Sequence, residues 1–112
     1  MTENCTPDQA VACVPGLSHA RLAAFLDADL VVLTDAAGGP AFRPVDLARL
    51  ELLCDLADLF DLEGDALGVV IELIDELHAA RRKLNAMAQA MADEPQDLRR
   101  RIGARFVRIL TV

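Results

Sequence analysis

Apolar residues recur along this chain at helical spacing, in segments divided by clear stop signals. Thr6-Pro7-Asp8-Gln9 opens the first segment. Thr6 can cap a helix, Pro7 suits a first turn, and Gln9 completes a capping box. The helix runs only to about Val14, because Pro15-Gly16 stops it. Ser18 offers a second cap, and Leu17 and Leu22 occupy the positions of a hydrophobic staple. Leu22, Phe25 and Leu26 give the second helix its stripe. Two short helices joined by Pro15-Gly16-Leu17 predict a helix-turn-helix.

The spacing then changes. Leu30-Val31-Val32-Leu33 is a short β-prone run, Asp35 to Pro40 has the residues of a turn, and Ala41-Phe42-Arg43 can return as a strand. This predicts a small hairpin, or wing. Pro44 opens a third helix with Asp46 in its first turn, carrying Leu47, Leu50, Leu53, Cys54, Ala57 and Phe60.

Asp61-Leu62-Glu63-Gly64-Asp65 breaks the pattern, and a long helix follows to about Ala92. Leu67, Val70, Ile74, Leu77, Arg81, Leu84, Ala88 and Met91 alternate there at spacings of three and four. Val70, Ile74, Leu77 and Leu84 are the candidates for a dimer seam. Arg81 on the seam disfavours a parallel in-register pair; the choice between parallel and antiparallel stays open. Beyond Pro95 an amphipathic tail carries Leu98, Ile102, Phe106 and Ile109, flanked by Arg99, Arg100, Arg101, Arg105 and Arg108. The reading is mostly α, with a winged helix-turn-helix and third helix over 1–62, a long dimerisation helix over 63–92 and a basic tail over 93–112.

Composition narrows the class. A chain of 112 residues that is 54% hydrophobic builds one small core and is not a disordered polymer. The net charge of −7 opposes phosphate binding, but its distribution matters more. Fifteen acids and three bases (Arg21, Arg43 and Arg49) lie in residues 1–76, while three acids and eight bases lie in 77–112. The body is therefore acidic and the end basic, which suits pairing of the halves within a protomer or across a homodimer.

Cys5, Cys13 and Cys54 match no metal or redox spacing, and free thiols fit a reducing cytosol. The polar, acidic N-terminus has no signal-peptide pattern, and no apolar run reaches a membrane span. A cytoplasmic location is expected.

Candidate chemistry is sparse. Glu51, Asp55 and Asp58 stand at i, i+4 and i+7 on one helical face. They form a docking face for a basic partner, a solvated face, or a surface that the arginine-rich tail covers. Asp61, Glu63, Asp65 and Glu72 imitate an EF-hand spacing badly, since Ala66 stands where the sharp turn needs Gly. His19 and His78 are isolated, and no phosphate-binding or nucleophile-elbow motif occurs. No enzyme, metal or cofactor is expected. As a DNA reader the second helix offers one permanent cation, Arg21, to which the wing adds Arg43.

The element order resembles the MerR-type winged helix-turn-helix. Asp46-Leu47-Ala48-Arg49-Leu50, Asp58-Leu59-Phe60-Asp61-Leu62-Glu63-Gly64 and Val70-Ile71-Glu72-Leu73-Ile74-Asp75-Glu76-Leu77 resemble the CbpM chaperone-modulator family over roughly 5–92. The resemblance implies a small bacterial dimer that binds the J-domain of a DnaJ-like co-chaperone and inhibits it. J-domains present a basic helix, which an acidic face complements. The stripe, rather than the resemblance, nominates Glu51, Asp55 and Asp58 as that face. The alternative is a MerR-type transcriptional regulator that binds DNA.

Overall fold

The computed structural model describes residues 4–111. Among these it contains five helices and one two-stranded antiparallel sheet: α1 (Pro7–Cys13), α2 (His19–Asp27), β1 (Thr34–Ala36), β2 (Gly39–Ala41), α3 (Pro44–Leu59), α4 (Gly64–Ala92) and α5 (Gln96–Leu110). The chain forms two compact units, the first ending at Leu73 and the second starting at Ile74.

In the first unit the helix starts follow local chemistry. The Thr6 hydroxyl accepts from the Gln9 N–H at 3.2 Å, and the Gln9 side chain accepts from the Thr6 N–H at 2.8 Å. These bonds satisfy two donors that a helix start leaves open. Ser18 caps α2 through the Arg21 N–H at 3.1 Å, and Leu17 and Leu22 are both buried.

Helix α2 ends in a motif the sequence did not announce. Asp29 adopts φ 58°. The Asp29 N–H donates to the Leu26 carbonyl and the Leu30 N–H to the Phe25 carbonyl. This is the paired closure of a Schellman motif, with Asp where Gly is usual.

The hairpin lies further along than the β-prone run suggests. Strands Thr34–Ala36 and Gly39–Ala41 pair Thr34 with Ala41, Asp35 with Pro40 and Ala36 with Gly39. Leu30 to Leu33 form no strand. Leu30 is taken up by the α2 cap, its carbonyl accepts from Arg49 Nε, and Val31 is buried in the core. Leu30, Val31 and Leu33 pack on the core rather than pair, while Val32 is exposed. Phe42 does not extend β2. It bridges Cys5 instead, the two exchanging N–H···O bonds of 2.8 and 2.7 Å.

Helix α3 starts at Pro44, and the buried Asp46 reaches back to its N-cap. Asp46 Oδ2 accepts from the Arg43 N–H at 2.9 Å and from Arg43 Nε at 3.0 Å. Burial pushes the Asp46 carboxyl up. The side-chain and backbone hydrogen bonds from Arg43, with the charges of Arg43 and Arg49, outweigh it and hold the carboxyl below the usual range.

The core joins Ala10, Val14, Leu17, Leu22, Phe25, Val31, Phe42, Leu50, Leu53, Cys54, Leu67 and Ile71. Leu67 and Ile71 seat the first turns of α4 in this core, so Leu67 is not a seam residue. Thirteen buried apolar side chains supply the main driving force for folding this unit.

In the second unit, the rest of α4 is mostly exposed, and no described residue of α5 is buried. Among the described residues no helix is long and apolar enough to cross a membrane.

Candidate functional site

Helix α3 is apolar on two opposite faces. At 3.6 residues per turn, Leu50, Leu53 and Cys54 fall on the core side. Val45, Leu52, Leu56 and Leu59 occur at i, i+7, i+11 and i+14, so they form a second stripe on the opposite side. Val45 is 62% and Leu59 74% exposed, with Phe60 beside them at 66%. Leu52 and Leu56 between them are half-buried and pack against the core cluster, so the stripe is partly covered at its middle and open at its ends. Glu51 and Asp55 are both exposed and line one edge of it.

Asp58, the third acid of the sequence pattern, has another partner. Arg21 Nη2 donates to Asp58 Oδ1 at 2.9 Å, Nη1 donates to Oδ2 at 3.2 Å, and Nη1 also donates to the Gly16 carbonyl at 3.0 Å. The hydrogen bond from Arg21 holds the Asp58 carboxyl below its usual range. The structure thus separates the predicted trio. Glu51 and Asp55 edge the outward stripe, while Asp58 ties α3 to the turn between α1 and α2.

Gly16 fits this arrangement. Its φ is 81°, and a Cβ there would meet Asp58 Oδ2 at 3.1 Å. Only glycine takes that backbone without strain and lets the carboxylate approach.

All three basic side chains of the first unit have internal hydrogen-bond partners. Arg21 binds Asp58, Arg43 binds Asp46, and Arg49 Nε donates to the Leu30 carbonyl. The two cations available for reading DNA, Arg21 and Arg43, are therefore held by carboxylates.

The other singled-out residues are quiet. Cys54 is 1% exposed, and burial pushes its thiol up, away from the reactive thiolate. Cys5, Cys13 and Cys54 are free thiols. His19 Nδ1 lies 3.9 Å from Asp8 Oδ1 with both side chains largely exposed, a contact of little energetic weight. Among the described residues no group of three His, Cys, Asp or Glu side chains is placed to hold a metal ion. A shallow open groove between the end of α2 and the start of α4 is lined by Leu30, Gly64, Gly68 and Val69, with Asp65 and Glu72 as its ionisable groups.

Of the seam candidates, Val70 and Ile74 are half-buried, while Leu77 and Leu84 are 48% and 57% exposed. Met87 at 62% extends that exposed apolar surface along α4.

The outward stripe of α3 is the feature that sequence reasoning missed. Its signal was present in Val45, Leu52, Leu56 and Leu59, but the stronger inward pattern masked it. No family model matches the chain, and neither the curated proteins nor the solved structures yield a match.

Proposed function

We propose that this chain is a non-enzymatic modulator that binds a DnaJ-like co-chaperone through its J-domain and inhibits it. The observation that carries the reading is the outward face of α3, an apolar stripe edged by Glu51 and Asp55. Such a face suits an amphipathic basic helix. Apolar contact supplies affinity, and the acids steer and orient the partner. The frame is read as a MerR-like winged helix-turn-helix of the CbpM type, with β1–β2 as the wing. Arg21 and Arg43 are engaged by its own acids, which favours a protein partner over DNA.

A homodimer through Val70, Ile74, Leu77 and Leu84 completes the proposal, in a cytoplasmic setting that suits three free thiols. The test is a titration of the full chain with a purified J-domain at low salt. A 1:1 complex that Glu51→Lys with Asp55→Lys weakens by about tenfold or more supports the face. Absence of any complex at low salt removes the function, and binding that ignores the substitutions removes the site.

The second reading is a MerR-type DNA-binding regulator. The observation in its favour is α5, whose five arginines are all exposed. Duplex binding that falls steeply with rising salt, together with no J-domain complex, selects it.

A further inference from the structure

Helix α5 carries the features that the outward face of α3 lacks. Leu98, Ile102, Phe106 and Ile109 form its apolar stripe, and Arg101, Arg105 and Arg108 recur at i, i+4 and i+7 along one edge. Phe106 is 54% and Ile109 71% exposed. The α3 stripe runs fourteen residues, about 21 Å, and the α5 stripe eleven residues, about 16 Å, so the shorter fits within the longer.

Charge handedness adds a constraint. With Leu52 set at 0° and 100° added per residue, Glu51 and Asp55 lie about 60–100° to one side of the α3 stripe. Arg101, Arg105 and Arg108 lie about 55–115° to the same rotational side of the α5 stripe. Two helices with charged edges on the same side bring those edges together only when they run antiparallel.

We infer that the outward face of α3 receives α5 of a second copy of this chain, antiparallel, with Glu51 and Asp55 set against Arg101, Arg105 and Arg108. Both helices then cover apolar side chains that the single chain exposes. The inference stands on these two helices and does not depend on the identity of any co-chaperone. It also gives the α3 face a competitor: a basic helix from another protein must displace α5 to bind.

Two full-length variants test this. One carries Glu51→Arg and Asp55→Arg; the other carries Arg101→Glu, Arg105→Glu and Arg108→Glu. All five positions are exposed, and circular dichroism checks that both variants keep their helices. Neutral Gln at the same arginines is a second version, free of acid at the C-terminal end of α5. Each charge-reversed variant alone repels itself across the contact. Mixed, with one copy isotopically heavy, they attract each other at both ends.

Native mass spectrometry of the mixture is expected to show a hetero-to-homo ratio about tenfold above the statistical one, fading at high salt. The Gln variant mixed with native chain is expected to form less complex than native chain alone. A statistical mixture, or no complex, overturns the inference. So does loss of binding to vesicles of anionic lipid in the Arg→Glu variant without hetero-complex formation, since that result assigns α5 to a membrane surface. J-domain binding is measured separately, so either proposal can fail alone.

Discussion

One guanidinium, that of Arg21, grips both carboxylate oxygens of Asp58 at 2.9 and 3.2 Å and also holds the Gly16 carbonyl. The contact joins the turn after α1, helix α2 and the last turns of α3. The Arg21 side chain is only 29% exposed and that of Asp58 53%, so the pair lies at the margin of the core. Its value is positional: it fixes the last turns of α3 against the turn between α1 and α2.

Acid exposes this pair. Asp58 and Asp46 both have folded-state pKa values lowered below the ordinary carboxylate value. Their contribution to stability is present above that ordinary value, near pH 4, and is lost as pH falls through the lower folded values. The arginines stay charged throughout and do not contribute to the change. The urea midpoint of native chain is expected to fall between pH 5 and pH 2.5 by more than that of Asp58→Asn. Equal falls would remove the ion pair from the acid response.

Binding and stability separate along α3. Leu59→Glu adds charge to a side chain that is 74% exposed, and its effect on stability is expected to stay within about 0.5 kcal/mol. The same change is expected to reduce complex formation by about tenfold or more, because it places an acid where a partner needs apolar contact. Asp58→Lys is expected to do the reverse first, lowering the thermal midpoint by setting a second cation beside Arg21. Calorimetry paired with a binding titration checks both.

The left-handed residues allow a stabilising change. Asp29 at φ 58° and Asp61 at φ 55° sit where glycine meets no Cβ penalty. Asp29→Gly keeps the Schellman hydrogen bonds and is expected to raise stability by about 0.5–1 kcal/mol, net of added unfolded-state freedom. Asp29→Val is expected to cost more than 1 kcal/mol at the same position, about the penalty for a β-branched residue forced left-handed. Denaturant midpoints of the three proteins should order as Gly, Asp, Val.

Much of the first unit was legible in the sequence. Caps and breaks act over three or four residues, so Thr6, Pro15-Gly16, Ser18 and Pro44 mark both ends of α1 and the starts of α2 and α3 directly. The hairpin was displaced because a run of Leu and Val signals burial and pairing alike, and here burial decided. The Cys5–Phe42 bridge and the Arg21–Asp58 pair join residues far apart in sequence, and local pattern does not encode such pairings. The outward face of α3 was hidden because a helix apolar on two sides blurs its own periodicity. Spacing puts the acidic trio on one helical face, but it does not say that a distant arginine will take Asp58 and leave Glu51 and Asp55.

The long helix supplies another expected outcome. For the proposed homodimer, Ile74→Glu with Leu84→Glu is expected to shift the solution mass from dimer to protomer by sedimentation equilibrium, with the first unit still folded. An unchanged dimer mass would move the interface off α4.

Phe42 is fully buried, and Phe42→Ala is expected to cost about 3–5 kcal/mol through the cavity it leaves. In a domain of this size that loss is a large fraction of the total stability. Thermal melts followed at the helix band check it.

The bridge from Phe42 back to Cys5 also sets a time order. Helices α1 and α2 can cap themselves as soon as their own residues meet, whereas the Cys5 amide finds its acceptor only after the chain through β2 has closed behind it. Protection of that amide therefore marks closure of the chain from Cys5 to Phe42 rather than formation of any one element. Cys5 is half-buried and carries a free thiol at the same point. Its alkylation rate becomes a built-in clock for opening of the first unit, with no label added to the chain.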